Sequence, residues 1–228
     1  LDVYGSTSEI DADAGRLLLC DRIVVHCERL TRYFRGYATV ITLPHHVKYV
    51  SDILPQRPAD GPLLWIGVRG NLPPVVAWVN RHELPAELVV MTDVGEGAYI
   101  PTSRELGFER NTVRVVPWSP ESHLAWLPRC RAAIDIKGDD FRSRHKPDAK
   151  VCDYIASGVP VAVLPDSSAA ESLGRLGFEL ASPDEERWLS DDYLASTIRF
   201  GRALRELHSL ERVTNRWARV IEDVLADH

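Results

Sequence analysis

Residues 131–165 read RAAIDIKGDDFRSRHKPDAKVCDYIASGVPVAVLP. An apolar run, Ala132 to Ile136, leads into a loop that carries Lys137, Arg142, Arg144, His145 and Lys146. A helix-like segment follows, Asp148 to Ser157, bearing Lys150 and Asp153; Gly158 stops it, and a second apolar run spans Val159 to Leu164. The order is strand, basic loop, helix, strand. In an open parallel sheet, ligands sit beyond the carboxyl ends of the strands. A helix N-terminus placed there offers free N–H groups and the positive end of a dipole. Five basic side chains in such a loop make a site for an anion, most simply a phosphate. The same composition also suits a solvated, irregular charged loop.

Outward from this stretch, the alternation continues in both directions. Upstream, Leu63 to Val68, Glu87 to Thr92 and Thr112 to Pro117 read as strands, and Pro73 to His82 as a helix with proline in its first turn. Gly67 to Asn71 and Asp93 to Gly97 read as turns. Ser119-Pro120-Glu121 is an N-cap followed by proline at the first helical position. Downstream, Ser168-Ala169-Ala170-Glu171 has a capping-box spacing, Phe178 to Ala181 reads as a last short strand, and Asp184 onward is helical, with a break near His208. Nearer the start, Asp21 to Cys27 and Thr39 to Leu43 are strands around a helix from Glu28 to Tyr37. Tyr49 to Gly61 is a linker rich in proline. Strands and helices alternating at this spacing predict an α/β fold, a doubly wound, Rossmann-like parallel sheet with helices on both faces. Three segments are expected: 1–58, the end of one Rossmann-like domain plus a linker; 59–206, a fuller Rossmann-like domain; and 207–228, a C-terminal helix packing back toward the first.

Bulk composition limits the function classes. A chain of 228 residues can bury a sizeable core. A formal net charge of −6 argues against a nucleic-acid-binding surface and makes the basic loop stand out locally. Cys20, Cys27, Cys130 and Cys152 form no CxxC pair and sit mostly in apolar runs, as reduced, buried thiols of a cytoplasmic protein would. His45-His46 lacks a nearby acidic partner, so no metal site is expected. No apolar run reaches membrane-spanning length and no signal peptide opens the chain, although peripheral membrane contact stays open. The chain opens at Leu1 without methionine, as a fragment or trimmed product would.

The segment Lys150-Val151-Cys152-Asp153-Tyr154-Ile155-Ala156-Ser157-Gly158-Val159-Pro160-Val161 resembles the donor-binding segment of GT-B glycosyltransferases, especially the family 4 type. Those proteins carry a lysine, an acid, an aromatic or small residue, alanine, and Gly-x-Pro-Val before a strand. The order of the other segments agrees over nearly the whole chain. The resemblance implies a C-terminal nucleotide-sugar-binding domain with a remnant of the N-terminal domain, and transfer of a sugar from a nucleoside diphosphate sugar to an unknown acceptor. By position it implies that Arg69 and Lys150 bind the donor diphosphate, that Asp153, Glu171 and His145 lie toward the ribose and sugar, and that Trp118 lies near the nucleobase. No cofactor and no metal are implied, because cationic side chains neutralise the departing diphosphate. A catalytic residue is not identified. The family's paired acids stand eight residues apart; eight before Asp153 stands His145.

That departure keeps a second reading in view, a non-catalytic module of the same fold that binds a nucleotide sugar or a protein partner. A dinucleotide-dependent dehydrogenase needs GxGxxG after its first strand, and Gly67-Val68-Arg69-Gly70 does not supply it. A nucleotide-sugar epimerase on the same fold is not excluded by the sequence.

Overall fold

The computed structural model describes residues 4–94 and 99–227. The chain opens with two short helices, α1 (Thr7–Ala12) and α2 (Ala14–Leu17), then β1 (Arg22–Val25), α3 (Glu28–Phe34) and β2 (Thr39–Thr42). β1 and β2 pair in parallel, Arg22 opposite Thr39. Alternation along β1 sends Ile23 and Val25 inward, where they join Ile10, Leu17 and Phe34 in a small core. An irregular stretch then leads to β3 (Leu63–Ile66), α4 (Leu72–Val79), β4 (Leu88–Thr92), β5 (Val113–Pro117), α5 (Pro120–Trp126), β6 (Ala132–Asp135), α6 (Phe141–Arg144), α7 (Ala149–Ala156), β7 (Val161–Val163), α8 (Ser168–Arg175), α9 (Asp191–Leu207) and α10 (Leu210–Ala226).

The larger sheet has the order β5-β4-β3-β6-β7, with every pair parallel. β3, β4, β6 and β7 are buried throughout, as expected of strands covered by helices on both faces. The chain leaves β3 in one direction toward β4 and later returns to β6 on the other side. The loops after β3 and β6 therefore diverge and leave a crevice at the carboxyl ends of the strands.

α7 ends where the sequence indicates: Gly158 takes φ +66, and the N–H groups of Gly158 and Val159 return to Ile155 and Tyr154. The expected C-terminal helix is two helices, broken at His208, after a short 3-10 turn at Glu186–Leu189. α9 packs closely across α7, and Arg205 on α9 donates to the carbonyls of Ala156 and Ser51, fastening the linker to both helices.

Three expectations need correction. Phe178 to Ala181 contributes only a single parallel bridge, Ala162 to Ala181. The Ala181 N–H is taken by the Tyr193 hydroxyl at 3.2 Å, which itself donates to the Val161 carbonyl at 2.9 Å, so a side chain replaces the ladder. The N-cap of α8 is Ser167, whose hydroxyl accepts from Ala170 N–H; Ser168 instead donates to the Lys146 carbonyl, so the expected capping box does not form. Cys27, Cys130 and Cys152 are buried, but Cys20 is exposed. The acidic turn expected at Asp93 to Gly97 lies largely outside the described residues.

Candidate functional site

The crevice at the switch between β3 and β6 opens into a cavity of about 860 Å³ that extends toward the N-terminal layer. Asn71 lines it from the loop after β3, Asp135 and Lys137 from the end of β6, and Lys146 and Lys150 from the approach to α7 and its first turn. The floor includes Trp65, which is 2% exposed and whose indole N–H has no partner among the described residues.

The lysines are held in different ways. Lys137 pairs with Asp135 at 3.2 Å. Lys146 donates to the Asn71 side-chain oxygen, linking the two diverging loops. Lys150 makes no hydrogen bond or salt bridge among the described residues. Burial pulls its ammonium below the ordinary lysine value; the Asp135 carboxylate opposes this, and Lys137 and Lys146 add to it by less. Lys146 is likewise lowered, by burial and then by Arg142 and Lys137. A cluster of cations that depress one another, offset only in part by Asp135 and Asp140, is an environment that favours an anion. Lys146 is half-buried in this wall.

The other site residues indicated by the sequence are spread around the cavity. Arg69 is exposed in a 3-10 turn at Arg69–Asn71; its N–H donates to the Asp93 carboxylate, and its neighbours Gly70 and Asn71 line the cavity. His145 lines the cavity, with Nδ1 bonded to the Phe141 carbonyl at 2.6 Å. That bond makes Nδ1 the protonated nitrogen and leaves Nε2 a bare acceptor, and burial keeps the ring neutral by lowering its pKa. Trp118 is 42% exposed, edge-on to Tyr49 of the linker, which also lies 4.7 Å from the buried ring of His123. Glu171 is tied to Arg29 and Arg175, both at 2.6 Å.

Asp153 has an unexpected partner. Its carboxylate is buried beneath the linker and accepts the Lys48 N–H at 2.7 Å. Burial raises its pKa from 3.8 to about 7, against the pull of the Lys48 and Tyr49 N–H groups. The folded chain thus holds this proton more tightly than the unfolded chain. The stabilisation is full below the unfolded value and is lost as pH rises through about 7. Asp153→Asn keeps an oxygen for Lys48 and cannot ionise. Thermal melts from about pH 4 to pH 8 should show wild type losing on the order of a few kcal/mol relative to the variant. Parallel curves would assign that ionisation elsewhere.

Asp135, Asn71 and Trp65 were not indicated by the sequence as site residues. The one available signal was Asp135, an acid closing an otherwise apolar strand beside Lys137.

No protein-family model matches this sequence, and no curated protein does either. Solved structures do match. AviGT4, a glycosyltransferase involved in avilamycin A biosynthesis, superposes with a TM-score of 0.66 at 15% identity over 92% of this chain and 67% of its own. Sucrose-phosphate synthase from Thermosynechococcus elongatus gives 0.66 at 12% identity, over 98% of this chain and 63% of its own. The fold is that of the GT-B glycosyltransferases. The pneumococcal O-GlcNAc transferase GtfA, solved with UDP and GlcNAc, shares it with a TM-score of 0.59 at 14% identity, over 96% of this chain and 48% of its own. The chain therefore spans about two thirds of the first of these GT-B proteins and less of the others. In GT-B terms, its five-stranded sheet is the C-terminal-type domain.

Among the described residues no helix is long and apolar enough to cross a membrane.

Proposed function

We propose that the cavity binds the diphosphate of a nucleoside diphosphate sugar and that the chain supplies the donor side of glycosyl transfer to an acceptor whose identity its residues do not specify. The observation that carries this reading is Lys150: a half-buried ammonium, without a hydrogen bond or salt bridge among the described residues, beside two further lysines at the carboxyl ends of a parallel sheet. A bound diphosphate would supply the missing negative charge through charge-assisted hydrogen bonds. As the glycosidic bond breaks, negative charge grows on the departing diphosphate. Lys150 and Lys146 would then stabilise the transition state more than the ground state. Arg69, exposed and next to the lining residue Gly70, would add a further cation from solvent. His145 is a neutral ring whose Nε2 is buried without a partner among the described residues; a sugar hydroxyl would reach it only if the wall around it moved.

A thermal-shift panel of nucleoside diphosphates, nucleotide sugars and inorganic pyrophosphate tests the reading. A ligand at about 100 times its dissociation constant adds about 2.7 kcal/mol, which for a domain of this size is on the order of 5–10 °C. A shift with one base and its sugar conjugates supports the donor site. No shift with any member, pyrophosphate included, rejects it.

A second reading has its own support. Both carboxylates that the resemblance turns toward the ribose and sugar are already engaged, Asp153 by the linker and Glu171 by two arginines. A module that binds a nucleotide sugar without transferring it would tolerate this. Sugar-nucleotide hydrolysis or transfer assayed beside binding separates the two: binding without turnover in the full-length protein favours the module.

A further inference from the structure

The cavity that carries the lysines has a second, apolar end. Where it extends into the N-terminal layer, Ile10, Leu17, Ile23, Val25 and Phe34 line it, together with Val213 of α10. All six are buried from solvent, yet they border this unfilled space. Phe141 links the two ends. It lies on α6 within the basic loop, lines the cavity, and packs edge-on against Tyr33 of α3 with ring centroids 5.1 Å apart. The apolar end also has a mouth. Leu17 and Cys20 line the cavity, and Leu18 and Leu19 between them are exposed. Trp217, one helical turn beyond Val213, lines the cavity and is 44% exposed; Ile221 continues that face of α10 and is exposed too. Arg22 donates to the Asp227 carboxylate, which brings the start of β1 to the end of α10.

Water gains little in such a space, because apolar walls offer it no hydrogen bonds; an apolar guest restores the contacts that the lining lacks. The other end makes the opposite demand, with Asn71, Lys137, Lys146 and Lys150 around it. A single continuous cavity of about 860 Å³ therefore joins a cationic, polar end to an apolar one. A molecule that suits both is a polar reacting group carried on a hydrocarbon chain. The exposed leucines and Trp217 at the mouth extend the apolar track to the surface, which a chain longer than the cavity requires.

We propose that this apolar arm holds the hydrocarbon chain of the acceptor, so that the acceptor is a hydroxyl-bearing lipid. This gives the acceptor's chemical class, not its identity. The hydroxyl faces the lysine end. Its oxygen forms the new bond to the anomeric carbon as that carbon's bond to the diphosphate oxygen breaks, and the hydroxyl proton leaves on the diphosphate. The acceptor role rests on the donor reading; the chain-binding arm does not.

The test titrates primary alcohols from butanol to decanol into wild type, Val213→Phe and Trp217→Ser, with inorganic pyrophosphate as control. In wild type, affinity should rise about fourfold per methylene and level off once the arm is full. Val213→Phe places a ring in the arm; it should make affinity level off at a shorter chain and weaken decanol about tenfold or more, with pyrophosphate binding unchanged. Trp217→Ser, at the exposed mouth, should weaken only the longest chains, and serves if Val213→Phe fails to fold. Affinity that ignores chain length, or that rises alike in all three proteins, is surface adsorption and overturns the arm. Decanol also carries the acceptor hydroxyl. Incubated with the nucleotide sugar that wild type binds, it should give decyl glycoside about tenfold faster than butanol gives butyl glycoside. Equal rates, or no decyl glycoside, overturn the acceptor role. Alcohol binding by a wild type that binds no nucleotide sugar also overturns that role, and marks the failure of the donor reading with the arm itself upheld.

Discussion

Replacing Lys150 by methionine is expected to raise the melting temperature of the ligand-free protein while weakening pyrophosphate binding by about ten- to a hundredfold. The two effects have one cause. The ammonium is held largely out of water near Lys137 and Lys146, without a salt bridge among the described residues, so it destabilises the empty fold. Methionine fills similar space and needs no counter-charge. The gain should be largest at neutral pH. A lysine held below its ordinary value binds its proton less tightly when folded, so the penalty fades as pH rises toward the unfolded value of 10.5. Bound anion reverses the balance, because each charge-assisted hydrogen bond lost costs about 1.5–3 kcal/mol. Melting curves with and without pyrophosphate, together with calorimetric titration, measure both signs. A variant that melts lower and binds pyrophosphate as well as wild type would make Lys150 an ordinary packing residue.

Gly201→Ala is expected to cost about 3 kcal/mol or more, a fall of roughly 10 °C in melting temperature. A Cβ at this position would stand 2.1 Å from the Ile155 carbonyl oxygen and 3.1 Å from its carbon. The obstacle is backbone, fixed within α7, so no side-chain rotation relieves it. Either α9 lifts away or α7 shifts. α7 carries Lys150 and Asp153 and is tied to the linker through Lys48, so a shift also moves the site. The loss should therefore appear in pyrophosphate affinity as well as in thermal melts. Gly174→Ala is the control: nothing lies within 4 Å of a Cβ there, and helix propensity favours alanine. Equal behaviour of the two variants would mean that the close crossing of α7 and α9 does not limit stability.

Much of this molecule is local. The strand, basic loop, helix, strand order of 131–165 needed only apolar runs, a glycine stop and a proline-marked turn, each set by backbone chemistry within a few residues. The alternation of such units determined the parallel sheet, because no short connection can join parallel strands. Lys150 was marked as a candidate by its place after a basic loop and His145 by the resemblance, and both line the cavity.

What the sequence could not reveal depends on residues far apart in the chain. Asn71 meets Lys146 only because β3 and β6 become neighbours across the switch point. The resemblance turned Asp153 and Glu171 toward the donor, but their partners, Lys48 and Arg29, come from the stretch just before the linker and from the N-terminal layer. The loss of the last expected strand turns on one hydroxyl, that of Tyr193, delivered by a helix that starts ten residues after Ala181. A carboxylate shows its type and position in sequence, and these were enough to mark it as a candidate. Whether it faces a ligand, a backbone N–H or a guanidinium is an electrostatic choice among groups the fold brings within about 3 Å, and only the tertiary structure made that choice here.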